Sequence, residues 1–167
     1  IKKAKQHIKE EDYNEALKIA RKRHGRDDIK SYLTILDLLI EKDHLPALEE
    51  KGMYYQYYDP NHGDGDYGER YFDEYLKKQP KSINVICDKS MSNFNKGNVS
   101  KALELMDVAY EKYDEYSEIE KPRISKKDVL MNKIELLVQA KEYKKALDDL
   151  NRYEDKYGID KKLDFYK

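Results

Sequence analysis

The densest chemistry in the chain lies in Asp59-Pro60-Asn61-His62-Gly63-Asp64-Gly65-Asp66, where carboxylates alternate with glycines. Hard oxygens on a backbone that turns sharply are what a Ca²⁺ loop needs. The spacing fails that test, because Gly63 stands at the place of the third ligand and Arg70 at that of the terminal bidentate Glu. The segment therefore reads as a polar connection between helices, and neither a metal nor a cofactor is expected. His62 has no second His at ligand spacing. Cys87 is the only cysteine; with no His near it in sequence to serve as a base, it reads as a buried structural thiol. The chain has no Gly-rich phosphate loop, no His-Glu-x-x-His and no Gly-x-Ser-x-Gly. Catalysis thus finds no candidate residues, and a non-enzyme is expected. The basic run Arg21 to Arg26 could grip phosphate, but at a helix end its charge is explained by the negative terminus it complements.

The elements that would position these residues are helices. Gly and Pro are scarce, at seven and four copies, and the stretches between them carry apolar residues three and four apart. Ile29, Tyr32, Leu33, Leu36, Leu39 and Ile40 form one stripe, which Ile35 and Leu38 widen until the helix must be packed on two sides. Gly25 is expected to close one helix in the left-handed conformation, and Gly158 with Ile159 to close another, the isoleucine folding back. Ser125 and Asp128 form a capping-box pattern. These signals place helices at 1–10, 12–24, 28–41, 45–58, 67–79, 82–96, 98–117, 126–140 and 142–157, with a short tenth after Asp160. The tyrosines at 54, 55, 57 and 58 and those at 67, 71 and 75 read mainly as rings packed between helices, with interface as the rival role.

Composition narrows the class. Thirty-three basic and 34 acidic side chains give a net charge of −1, too balanced to gather nucleic acid or anionic lipid. The longest apolar run is far short of a membrane span, and a single cysteine suits a reducing compartment, so the cytoplasm is the expected location. One domain over 1–167 is expected. The chain opens at Ile1 rather than Met, as a segment of a longer array would.

A motif recurs at tight turns: a polar or Gly turn, a bulky residue, two polar positions, then Ala-Leu. It occurs as Tyr13 with Ala16-Leu17, His44 with Ala47-Leu48, Val99 with Ala102-Leu103 and Tyr143 with Ala146-Leu147. The alanine lets two helices approach and the bulky residue fills the corner, so each unit is a hairpin that must stack on neighbours. At these residues the chain resembles the tetratricopeptide repeat family, most closely at Lys96-Gly97-Asn98-Val99-Ser100-Lys101-Ala102-Leu103 and at Glu11 to Leu17. Gly65 to Arg70 looks like a degraded copy with Arg70 at the small-residue place. The alanines are spaced 31, 55 and 44 residues apart, so an irregular α-solenoid of antiparallel hairpins is expected rather than an even superhelix.

The resemblance implies a protein or peptide partner held in the groove lined by the first helix of each pair, without nucleic acid or membrane. On that surface are expected Asn84, Cys87, Met91, Phe94 and Asn95 from one helix and Met131, Glu135, Val138 and Gln139 from another. Leu36 is placed on a corresponding surface, and with Cys87 and Met91 there a basic clamp for carboxylate tails is disfavoured. Asn84→Ala and Glu135→Ala are expected to weaken binding without changing the melting temperature. An adaptor or scaffold is the leading reading. Its rivals are a peptide-sensing regulatory domain of a larger protein and an accessory domain of an enzyme.

Overall fold

The computed structural model describes residues 1–58 and 66–164, which are all-α with no strand among them. Eleven helices follow one another among the described residues: α1 (Lys2–Lys9), α2 (Tyr13–His24), α3 (Ile29–Glu41), α4 (Leu45–Tyr57), α5 (Asp66–Lys78), α6 (Ile83–Asn95), α7 (Val99–Glu111), α8 (Tyr113–Ser117), α9 (Lys126–Gln139), α10 (Tyr143–Tyr157) and α11 (Lys161–Asp164). The chain divides into two compact units, Ile1–Lys78 and Gln79–Lys167. Within each, consecutive helices pack on one another. The acidic connection at 59–65 lies outside the described residues.

One turn is used five times. Glu11, Asp27, Asp43, Gly97 and Lys141 all have positive φ, between 57° and 86°. In each case the next amide donates back across the turn to a carbonyl five residues earlier: Asp12 to His7, Asp28 to Arg23, His44 to Leu39, Asn98 to Asn93 and Glu142 to Leu137, at 2.8–3.1 Å. The positive-φ residue itself donates three residues back, completing a Schellman closure. So short a joint forces reversal and makes each hairpin antiparallel. Gly25 is not the left-handed residue: its φ of −65° continues the helix for a further turn, and Asp27 closes it instead. Gly158 does reach φ 84°, but Ile159 is 73% exposed and does not fold back; Leu163 of α11 is buried instead.

The four motif alanines are all at most 5% exposed. In the first unit, α3 carries the core: Tyr32, Ile35, Leu36 and Leu39 are buried between α1, α2 and α4. Leu36 is fully buried there and forms no part of a groove surface. The tyrosines differ in burial. Tyr54, Tyr55 and Tyr75 are buried, Tyr67 and Tyr71 are half-buried, and Tyr57 and Tyr58 are exposed. The α4–α5 contact depends on glycine: a Cβ on Gly68 would lie 2.7 Å from the Gly52 carbonyl, and one on Gly52 would lie 2.6 Å from a Phe72 ring carbon. Gly68, not residue 70, therefore occupies the small-residue place.

In the second unit, the expected single helix 98–117 breaks at Lys112, whose ψ is 5°. The break redirects the chain so that the Tyr113 hydroxyl donates to the Ile124 carbonyl at 2.5 Å and Asp114 meets Lys126 at 2.9 Å. Residues 118–125 then form a strap before α9, whose N-cap Ser125 accepts from the Asp128 amide as expected. The irregular alanine spacing follows from these insertions. The positive-φ turns at 11, 27 and 43 are sixteen residues apart, whereas α5 occupies the 55-residue interval and α8 with its strap the 44-residue one. No helix among the described residues is long and apolar enough to cross a membrane.

Candidate peptide groove

The second unit holds a groove of ≈ 230 Å³ lined by α6, α7, the strap and α9. Its walls are Asn84, Cys87, Asp88 and Met91 from α6, Met106 from α7, Arg123 and Ile124 from the strap, and Asn132 from α9. Position in the helix explains the grouping. Asn84, Asp88 and Met91 stand at i, i+4 and i+7 on the face of α6 turned toward α9. The Met91 thioether and Ile124, both half-exposed, supply apolar surface, whereas Met106 is fully buried. The amide of Asn132 and the guanidinium of Arg123 supply polarity.

Asn84 is 7% exposed, and its amide is committed to the strap. Nδ2 donates to Glu120 Oε1 at 3.3 Å and to the Lys121 carbonyl at 3.2 Å, while Oδ1 accepts from the Arg123 amide at 2.8 Å. Ser82, the N-cap of α6, donates to the same Glu120 oxygen at 2.7 Å. This overturns the expectation that Asn84→Ala leaves stability untouched, since truncation removes three hydrogen bonds from a buried network. Arg123 also lies 3.7 Å from Asp88, which fixes the guanidinium at the groove edge. Burial pushes the Cys87 thiol up to about 12, with the Asp88 charge adding to the effect, so it is protonated near neutrality and a poor nucleophile.

Of the nine residues expected at this surface, Asn84, Cys87 and Met91 line the groove. Phe94, Met131, Glu135 and Val138 are half-buried outside its lining, and Asn95 and Gln139 are exposed. Asn132 was missed by one position: it is the α9 residue in the groove lining, next to the expected Met131, which lies outside it. Arg123 and Ile124 were missed because they belong to an irregular connection without periodicity.

A second depression of ≈ 290 Å³ lies between α7, α9 and α10, lined in part by Leu103, Leu137 and Lys133. Lys133 bridges Asp107 at 2.6 Å and Asp149 at 2.9 Å. Burial opposes its charge, but hydrogen bonds to the two carboxylates outweigh that and hold its pKa above the ordinary lysine value. These groups satisfy one another and tie three helices together. Among the described residues no cluster of three or more His, Cys, Asp or Glu side chains is placed to hold a metal ion. No model of a known protein family matches the chain, and no curated protein matches it in sequence.

Proposed function

We propose that the chain is a non-catalytic helical-repeat module of tetratricopeptide type, an adaptor or scaffold that holds an extended segment of a partner protein between α6 and α9. The observation that carries this reading is the α6–α9 groove itself, with half-exposed Met91 and Ile124 as apolar surface, Asn132 and Arg123 as polar groups, and a strap closing one side. Apolar contact from adaptable side chains with a few amides to fix a backbone is the chemistry of peptide capture. The five Schellman joints and the four buried alanines support the repeat assignment. A reducing compartment such as the cytoplasm suits a free, half-buried Cys87.

Selection from a random peptide display library tests the reading. Enriched peptides should bind the purified chain, and Asn132→Ala and Met91→Glu should each weaken them at least about tenfold, which is about 1.4 kcal/mol. Tyr57→Ala and Tyr58→Ala should leave affinity intact. Peptides that ignore both groove variants but lose affinity with either tyrosine variant would move the interface to the end of α4 and overturn the proposal.

A further inference from the structure

The only cysteine of the chain and two of its four methionines line one groove. Cys87 and Met91 stand at i and i+4 on α6 and so share one side of that helix. Met106 comes from α7, which the tight turn at Gly97 folds back against α6. The register of the pair is marked by Ser90, whose hydroxyl donates to the Ala102 carbonyl at 2.7 Å. One turn further from the joint on each helix stand Cys87 and Met106, at the same level. The three side chains border the same space of ≈ 230 Å³, Cys87 and Met91 half-exposed and Met106 fully buried.

We propose that the sulfurs of Cys87, Met91 and Met106 bind one Cu(I) ion. Donor chemistry selects the metal: thiolate and thioether are soft ligands that favour Cu(I), whereas Ca²⁺ and Mg²⁺ take oxygen and Zn²⁺ takes Cys, His or carboxylate. Charge selects it as well. One thiolate with two neutral thioethers neutralises a monovalent ion, but leaves a divalent one with excess charge beside a buried methionine. Binding breaks the Cys87 S–H bond, forms an Sγ–Cu bond and releases the proton to solvent. Both thioethers donate lone pairs unchanged, and copper supplied as Cu(I) stays Cu(I). The groups facing the thiol are Asp88, its ion-pair partner Arg123 at 3.7 Å, and the Tyr113 hydroxyl. A bare thiolate repels Asp88, and a cation on the sulfur removes that repulsion. The inference does not rest on peptide capture, because the ion binds the groove with no peptide present.

The test is an anaerobic titration of the whole chain against the coloured Cu(I)–bicinchoninate complex. The parent chain should withdraw one equivalent of copper with no change of molecular mass in light scattering, and Cys87→Ser should withdraw none. Met91→Leu and Met106→Leu nearly conserve volume and should each weaken binding at least about tenfold. Met91 is half-exposed, so its variant should keep the parent melting temperature and stand as the test should Met106→Leu fail to fold. Met53→Leu, in the first unit, should leave the affinity unchanged. Because the proton leaves a thiol held at about 12, apparent affinity should rise about tenfold per pH unit between about pH 6 and 8. Four results overturn the proposal: no copper withdrawn, an affinity that ignores both leucine variants, two chains gathered on one ion, or displacement of copper by equimolar Zn²⁺. Failure of the peptide selection with the copper titration intact would overturn the groove's proposed partner alone.

Discussion

The two units use the same helix joint and differ in what they bury. In the first, the described core is aliphatic and aromatic: Ile35, Leu36 and Leu39 are fully enclosed, and tyrosine rings meet edge-on, as Tyr32 meets Tyr54 at 5.6 Å and Tyr55 meets Tyr67 at 4.5 Å. In the second, α6 and its cap carry all the buried polar side chains found among the described residues: Ser82, Asn84, Ser90, Ser92 and Asn93. Ser90 donates to the Ala102 carbonyl at 2.7 Å, tying α6 to α7, and Asn84 holds the strap. The difference has a functional side. An apolar wall seals against its neighbour, whereas a wall whose polar groups are satisfied internally can stay partly open to a ligand without leaving orphaned donors.

The sharpest way to break this contrast is at the glycine crossing of the first unit. Gly68→Ala places a methyl group 2.7 Å from the Gly52 carbonyl, a backbone atom that cannot yield without moving α4 from α5. The expected loss is about 1–3 kcal/mol, seen as a lower midpoint in urea. A variant as stable as the parent would mean that this packing is looser than that of the motif alanines.

A comparable loss is expected in the second unit from a hydrogen-bond network rather than from packing. Asn84→Ala removes three hydrogen bonds made by a side chain that is 7% exposed, at a cost of about 1–3 kcal/mol. Glu135→Ala, outside the groove lining and half-exposed, should change stability by no more than about 0.5 kcal/mol. Equal effects at both positions would show that the strap is not held through Asn84.

These positions also mark where sequence reasoning reaches and where it stops. Helix bounds were legible to within one residue almost everywhere, because breakers fall between apolar stripes and periodicity is a local signal. The burial of Ala16, Ala47, Ala102 and Ala146 was legible for the same reason. The break at Lys112 was not: residues 98–117 contain no Gly or Pro, and what redirects the chain is the hydrogen bond from Tyr113 to Ile124, eleven residues away in sequence. Gly68 was placed inside the helix 67–79, but the small-residue place was assigned two positions on, at Arg70, because the Gly52 backbone that Gly68 approaches is not visible in sequence. Within the groove, the α6 stripe was largely recovered, while Asn132 lay one residue off the expected stripe of α9. That is the resolution at which a wide apolar face ceases to say which edge is open.

The smallest expected effect tests whether the five joints are equivalent. Non-glycine residues held in the left-handed region cost roughly 1–2 kcal/mol, less for Asp, whose short side chain can bond locally. Asp27 and Asp43 therefore bear little strain, Gly97 none, and Lys141, at φ 61°, the most alongside Glu11. The Lys141 side chain is exposed and forms none of the ion pairs found here, so its removal forfeits no contact that would offset the gain. Glycine also raises the entropy of the unfolded chain, which cancels part of the relief. Lys141→Gly should accordingly stabilise the second unit by about 0.5–1 kcal/mol, and the reverse change, Gly97→Lys, should destabilise it by a similar amount. Chemical denaturation of the two single variants and the double variant measures both. Joints that act independently would place the double variant near the parent by additivity. A destabilising Lys141→Gly would mean that the α9–α10 joint draws on a lysine contact, and the equivalence of the five turns would fail there.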